Sequence, residues 1–172
     1  TRLQRKPSPP PMIQAADIPV GPLDPPHPND AYLSDALARV REGDISGYAR
    51  AALAYAAGYG TPQDYETARE WAEAGADLGD PFCCRFLGAM WSTGLGGGGA
   101  DPNNATYWLR KAVDQGDVYA MITLAHVLID FRGHDEIAQL EAMKLFQRAI
   151  ELGCEAARPW LQHLVLSGWP RR

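Results

Sequence analysis

An eleven-residue phrase is spelled nearly twice in this chain. WAEAGADLGDP fills residues 71–81 and WLRKAVDQGDV fills residues 108–118, so Trp71 and Trp108 are 37 residues apart. A third copy, LFQRAIELGCE, begins 37 residues later at Leu145, and a degenerate copy, DALARVREGDI, begins at Asp35. Self-similarity at this period indicates an array of supersecondary units that stack on one another.

The last glycine of each phrase follows a stretch rich in Ala, Leu, Glu and Arg. Such a stretch favours a helix, and a glycine directly after it is typical of a left-handed residue that ends the helix. The four glycines predicted to act in this way are Gly43, Gly79, Gly116 and Gly153.

A second family of segments lies between the phrases: GYARAALAYAAGYG (47–60), CCRFLGAMWSTGLG (83–96) and AMITLAHVLIDFRG (120–133). Small or apolar residues recur in each at spacings that place them on one helical face. Each of these segments is predicted to form the first helix of a hairpin, and the phrase that follows it forms the second. The final segment, EAARPWLQHLVLSG (155–168), repeats the first helix without a second one. The sequence therefore predicts an all-α superhelix, or solenoid, over residues 30–172. It would contain about three helical hairpins, a preceding helix and a C-terminal capping helix.

These residues resemble the Sel-one-like repeat (SLR, or Sel1-like repeat) family, which is related to the tetratricopeptide (TPR-like) repeats. The family pattern is followed in residues 80–116 by Leu87, Gly88, Trp91, Gly94, Gly96, Asp101, Ala105, Trp108, Lys111, Ala112 and Gly116. Residues 120–153 depart from it, because Phe131 stands where Gly is expected and Ala138 where Asp is expected. We therefore expect an irregular loop in the third hairpin.

The aromatic and aliphatic residues that open the phrases are interpreted as core. One hairpin cannot bury its apolar face alone, whereas stacked hairpins share a continuous core. Trp71, Trp108 and Leu145 recur at equivalent positions, and we expect each of them to pack between helices.

Residues 1–29 differ from the rest of the chain, since they hold nine of the 14 prolines. Proline fixes its own φ and lacks an amide donor, so this arm is predicted to be extended. A spacer is the simplest interpretation. The segment from Met12 to Val20 is more apolar than a spacer requires, and we predict that it docks in extended form against the array.

Charge argues against a nucleic-acid partner, and hydropathy argues against a membrane-spanning segment. The formal net charge is −5 and the basic residues form no stripe, which argues against nucleic acid. No apolar run approaches the roughly 20 residues of a membrane-spanning helix, so we expect no transmembrane segment.

No catalytic motif is apparent in the sequence. His126 and His163 are 37 residues apart and hold equivalent repeat positions, but no carboxylate or cysteine is in register beside both. The segment GLGGGGAD (94–101) follows no predicted strand and precedes no Lys-Ser/Thr pair, so we interpret it as a hairpin loop and not as a phosphate-binding loop. We predict no catalytic residue, no metal and no cofactor, and hence that the protein is not an enzyme.

The three cysteines cannot all pair within one chain. Some secreted SLR proteins carry a Cys-x₇-Cys bridge, and the resemblance places Cys84 at its second site. The first site is Ala76, so the bridge is incomplete here. We interpret Cys83, Cys84 and Cys154 as buried or half-buried thiols. The cysteines therefore do not distinguish an oxidising compartment from a reducing one.

The resemblance implies that a second stripe on the first helices lines the concave groove and binds a protein or peptide partner. Its residues are Phe82, Arg85, Ala89, Tyr119, Ile122, His126, Ile129 and His163. Aromatic and arginine residues are the usual anchors of interfaces. The alternative is that Phe82 and Tyr119 only pack between neighbouring repeats.

The function expected from the resemblance is a non-enzymatic scaffold or adaptor of the bacterial cell envelope. The alternative is an immunity protein that neutralises a secreted toxic effector enzyme by direct binding. Thr1 in place of Met and the proline-rich arm favour a periplasmic or otherwise exported location, although a cytoplasmic one stays open. The sequence does not define the partner or the oligomeric state.

Overall fold

The computed structural model describes residues 31–95 and 97–168, and these residues form eight α-helices and no strand. The helices are α1 (Ala31–Arg41), α2 (Ser46–Ala57), α3 (Tyr65–Asp77), α4 (Pro81–Thr93), α5 (Pro102–Asp114), α6 (Val118–Arg132), α7 (Glu136–Glu151) and α8 (Arg158–Leu166). A short 3-10 turn, Glu155–Ala157, leads into α8. The predicted arm, the boundary at residue 30 and the docking predicted for Met12 to Val20 lie outside the described residues.

Five consecutive helices begin with the same cap. An aspartate side chain precedes each of α3 to α7 and accepts hydrogen bonds from backbone N–H groups of the first turn. The capping residues are Asp64, Asp80, Asp101, Asp117 and Asp135. At the other end of the phrases, the four predicted glycines all have positive φ, at 81°, 88°, 84° and 92°. The prediction of left-handed glycines is confirmed.

The helices pair in chain order into three hairpins, α2/α3, α4/α5 and α6/α7, with α1 before them and α8 after them. Each helix also packs against the next one along the chain, which makes the array continuous. Apolar residues from α2 to α8 form a single core cluster. The predicted all-α solenoid of about three hairpins is confirmed.

Glycine and alanine allow neighbouring helices to approach closely. A Cβ atom on Gly88 of α4 would lie 2.8 Å from Cδ2 of Leu109 and 3.2 Å from the carbonyl oxygen of Ala105, both on α5. A Cβ on Gly75 of α3 would lie 2.5 Å from Sγ of Cys83 on α4. These distances are shorter than van der Waals contact, so no larger residue fits without movement.

The large residues that open the phrases lie at the margin of this core. Trp71, Trp108 and Leu145 are partly buried and pack against the cluster, as predicted. The ring of Trp71 lies 5.8 Å from the ring of Tyr48 on α2, measured between centroids. Trp71, Trp108 and Leu145 therefore contribute to the packing between helices while part of their surface stays exposed.

The third hairpin loop differs from the sequence prediction. We expected an irregular loop, but α6 continues through Phe131 to Arg132 and α7 begins at Glu136. Gly133 has φ −60°, a right-handed conformation open to any residue. The buried side chain of Gln139 closes the turn by donating from Nε2 to the Gly133 carbonyl oxygen at 2.7 Å. Without a glycine at position 131 the helix simply extends, and the connection is short.

The stacking has an inner and an outer side. The first helices α2, α4 and α6 contact one another from hairpin to hairpin, whereas the second helices touch one another marginally at most within the described residues. A stack that is closer on one side than on the other curves toward the closer side. The first helices therefore line the inner face of the array.

Replacing Gly88 with Ala tests the close approach within the second hairpin. The new Cβ would overlap Leu109, and we expect Gly88→Ala to lower the free energy of unfolding by about 1–2 kcal/mol despite alanine's better helix propensity. Leu109→Ala alone should cost about 2–5 kcal/mol. Denaturant unfolding of the double variant should show a cost well below the sum. Additive costs would mean that the two residues are not in contact.

Candidate functional site

The eight residues predicted to line the groove lie on α4, α6 and α8, and the structure divides them into two sets. Four are buried: Arg85, Ala89, Ile122 and His126, with 2%, 2%, 6% and 7% of their surface exposed. Four are partly exposed: Phe82, Tyr119, Ile129 and His163. Packing within the array therefore already uses the buried four, and only the other four residues of the stripe present part of their surface to solvent.

Arg85 joins the second hairpin to the third. Its Nε donates to Oδ2 of Asp117 at 2.9 Å, and the two side chains are only 3% and 10% exposed. The other oxygen of the same carboxylate accepts from the backbone N–H of Ala120 at 3.0 Å and caps α6. One aspartate thus starts α6 and anchors α4 to it.

Two aromatic rings enclose the Arg85 guanidinium. The central carbon of this group lies 4.8 Å from the ring centroid of Phe82 and 5.5 Å from that of Tyr119. Both distances are within the range of cation–π attraction. Phe82 also stacks on Phe86 with centroids 6.2 Å apart. The structure therefore brings Phe82, Arg85 and Tyr119 together into one cluster, which we call the inner-face cluster, at the junction of α4 and α6.

His126 lies in a separate aromatic cluster between α6, α7 and α8. Its ring meets Trp160 edge-on with centroids 4.2 Å apart and Phe146 edge-on at 5.3 Å. Burial lowers the pKa of His126 to about 4, because the charged imidazolium loses its hydration there. At neutral pH this histidine is an uncharged core residue that holds the capping helix.

The sequence interpretation missed three residues that define these clusters. Asp117 belongs to the Gly-Asp pair that recurs at the ends of the phrases, and this pair is a local signal for a helix cap. Its ion pair with Arg85, 32 positions earlier, has no local signature in the sequence. Phe146 and Trp160 lie in the third phrase and the final segment, at positions that the groove prediction did not include.

The cysteines are free thiols, with Cys83 and Cys84 buried and Cys154 partly buried, in agreement with the interpretation from sequence. Burial raises the pKa of both the Cys83 and Cys84 thiols. A protonated thiol is a poor nucleophile and a poor metal ligand. Cys83 instead supplies the small side chain that packs against Gly75.

The described residues contain no group of three or more His, Cys, Asp or Glu side chains arranged to hold a metal ion. None of the helices formed by residues 31–95 and 97–168 has the length and apolarity needed to cross a membrane. Gly94 has the left-handed conformation and ends α4, and the described residues 97–100 that precede α5 belong to no helix.

Three stacked helical hairpins with a closely packed inner face define a helical-repeat protein. In a comparison with protein families, the Sel1 repeat matches residues 46–80, 81–117 and 131–154, more than half of the chain. The chain belongs to the Sel1 repeat family. The third match begins only at residue 131, so it includes only the last two residues of α6.

Solved structures show the same fold. A Sel1 repeat protein from Oxalobacter formigenes is similar with a TM-score of 0.65 and 20% identity over 78% of this chain and 56% of that one. A protective antigen present in uropathogenic Escherichia coli strains, described as displaying an SLR fold, has a TM-score of 0.51 and 24% identity over 77% of this chain and 36% of that one. The chain thus spans about half or less of the length of these relatives. No curated protein sequence matches it significantly.

Replacing Arg85 tests the junction between the second and third hairpins. Arg85→Met keeps an apolar side chain between the rings but leaves the Asp117 carboxylate buried without its cation, so we expect the free energy of unfolding to fall by about 3–5 kcal/mol. Arg148→Met is the control, since Arg148 and Glu151 pair at 3.3 Å with side chains 60% and 50% exposed. It should change the free energy of unfolding by less than about 1 kcal/mol in the same urea titration. Equal effects would contradict the role of Asp117.

Acidification tests the burial of His126. The pKa of this ring is lower in the folded chain than in the unfolded chain, so the unfolded chain binds the proton more tightly. The resulting stability is complete above about pH 6.5 and is lost as pH falls toward about 4, a change of about 3 kcal/mol. His126→Gln should flatten the profile of unfolding free energy against pH over this window. An unchanged profile in His126→Gln would contradict the assignment.

Proposed function

We propose that this protein is a non-catalytic scaffold that binds a protein partner on the inner face of its helical array. Sel1 repeat proteins generally mediate protein–protein interactions, and their fold is typically a non-catalytic interaction scaffold. The observation that carries the proposal for this chain is the inner-face cluster. It presents two partly exposed aromatic rings, Phe82 and Tyr119, on a buried ion pair.

The cluster is suited to binding because its rings are held before a partner arrives. Arg85 is fixed by Asp117 on one side and by both rings on the others. A side chain already restrained in the free protein loses less conformational entropy when it enters an interface. Aromatic anchors with this property are the residues that usually dominate interface energy.

The rest of the inner face indicates the chemistry of the partner. Ile129 and His163 are partly exposed on the same stripe of α6 and α8, and the described stripe carries no acidic side chain among its eight residues. An apolar segment of a partner protein, placed across the first helices, would bury these side chains together with the two rings. Helical and extended segments both bind protein grooves in this way.

We further propose a location in the cell envelope, with the protein exported to the periplasm or beyond. The proline-rich sequence of residues 1–29 supports this location, because proline-rich sequences in general serve as spacers between a folded unit and an attachment point. Subcellular fractionation of the source organism with an antibody against the chain tests it. Recovery with cytoplasmic markers would contradict the location and would leave the binding proposal unaffected.

Site-specific photocrosslinking identifies the partner and the face that binds it. A photoreactive amino acid in place of Phe82 or Ile129 should capture the partner in cells of the source organism. The same group in place of Tyr107, on the exposed side of α5, is the control, because Tyr107 is 53% exposed on a second helix. Capture only from position 107 would contradict inner-face binding. A captured toxic enzyme that this chain inhibits would make the protein an immunity protein and not an adaptor.

The affinity of the captured partner should depend on Tyr119. Truncation of a central aromatic anchor typically costs at least about 2 kcal/mol of binding free energy, so Tyr119→Ala should raise Kd about thirtyfold. Tyr107→Ala is a matched control, since Tyr107 also lies beside a cation, with Lys111 Nζ 4.8 Å from its ring centroid. It should leave Kd within about threefold in isothermal calorimetry. Both variants must keep a cooperative thermal melt, and the reverse order of effects would overturn the proposal.

A further inference from the structure

The inner face carries a row of partly exposed, uncharged side chains from the first hairpin to the third. We call this row the inner track. It consists of the following residues of α2, α4 and α6: Leu53, Ala56, Phe82, Ser92, Tyr119 and Ile129. Packing within the array leaves part of each of these side chains uncovered.

An acidic group lies at the far end of the inner track. Asp130 follows Ile129 on α6, and it forms no ion pair with another described residue. The surrounding protein removes part of the hydration of its carboxyl group, which raises the pKa of Asp130. A neighbouring cation would stabilise this carboxylate, so the far end of the inner track favours a positively charged group.

The described chain begins at the near end of the inner track. A Cβ on Gly47, in the first turn of α2, would lie 2.8 Å from Cγ2 of Val40 in the last turn of α1. At the opposite ends of these helices, the rings of Tyr32 and Tyr59 meet edge-on with centroids 5.8 Å apart. The two helices are therefore antiparallel, and the chain enters α1 beside the end of α2, where the inner track starts.

The sequence that precedes this entry point is complementary to the inner track. Residues 12–20, MIQAADIPV, are mostly apolar and carry one charge, whereas the first six residues, TRLQRK, carry three positive charges and no negative one. Residues 1–30 contain three basic and three acidic residues, so the whole net charge of −5 belongs to residues 31–172. An apolar segment with a basic end thus precedes an acidic array with an apolar track.

We propose that residues 12–20 lie in extended form across the inner track of the same chain, with the basic residues before them directed to Asp130. Consecutive first helices that pack together are about 10 Å apart, so α2, α4 and α6 together span about 20 Å. Nine extended residues cover about 30 Å. The ten residues 21–30 are long enough to join this segment to the start of α1.

The docked segment regulates the proposed binding site, and this part of the inference rests on the proposed function. A partner that binds the inner face must first displace residues 12–20. Only chains with an open inner track are competent to bind, and the apparent Kd rises as their fraction falls.

Photocrosslinking within the full 172-residue chain tests the docking. A photoreactive amino acid replaces Ile13 in one sample and Ile18 in another, because these residues lie on opposite faces of an extended segment. The purified protein is irradiated at about 1 μM, which disfavours weak contacts between chains. We expect products with the mass of one chain, and mass spectrometry should map their crosslinks to α2, α4 and α6.

Matched variants test which surface holds the segment. Tyr119→Ala should lower the crosslinking yield at least about threefold, because a central aromatic contact is lost. Tyr107→Ala should leave the yield unchanged, since Tyr107 is 53% exposed on a second helix. Asp130→Lys should also lower the yield at least about threefold, because it opposes the basic residues with a like charge. Asp114→Lys, an exposed position on α5, is its control.

Four results would overturn the docking: crosslinks mainly to second helices, products that only join two chains, no crosslink to the array from either position, or equal yields in the two tyrosine variants. A partner captured on the inner face without internal crosslinks would leave the proposed function intact and overturn this inference. Internal crosslinks on the inner track without any captured partner would support the docking and contradict the proposed function.

The affinity for a captured partner tests the competition. Ile13→Asp combined with Ile18→Asp should release the segment from the inner track and lower the Kd of the partner at least about threefold. Both positions lie outside the array, so the variant should keep the wild-type cooperative melt of the helices. An unchanged Kd in isothermal calorimetry would overturn the competition.

Discussion

The close approach of helices at small side chains is the constraint on which the rest of the structure depends. Gly75 and Gly88 have no room for a Cβ, and alanine is the commonest residue at the buried positions. Helices that approach this closely leave little space for large residues at the contact. Trp71 and Trp108 therefore lie at the margins, where they stay partly exposed. The inner face is a consequence of the same spacing, because the first helices are close enough to touch from hairpin to hairpin.

Close stacking of the first helices gives the inner face a double role. Arg85 and His126 were expected on a free surface, yet one holds α4 to α6 and the other holds α8 against the third hairpin. Only the residues that project past these contacts, such as Phe82 and Tyr119, remain available to a partner. Binding and stacking thus share one surface, and a partner would recognise side chains whose positions the stacking has already fixed.

The repeat phrase predicts most of this fold, and the reason is local. Gly43 and Gly79 end helices because of their own backbone, and the periodic small residues define the packed face of each first helix. The site was less predictable, because burial on a first helix depends on its neighbours across hairpins. The sequence places Arg85 and Tyr119 on one stripe, but it does not reveal the buried ion pair between Arg85 and Asp117. The short third loop was also missed, since it depends on a hydrogen bond from Gln139 to Gly133.

Hydrogen–deuterium exchange of the chain with and without its bound partner tests the central claim most directly. If the inner face binds the partner, amide protection should increase in the first turns of α4 and α6, around Phe82 and Tyr119, and in α8 around His163. Helices α3 and α5 should exchange as in the free protein, because they form the outer side. Protection confined to α3 and α5, with α4 and α6 unchanged, would contradict inner-face binding and place the partner on the outer surface of the array.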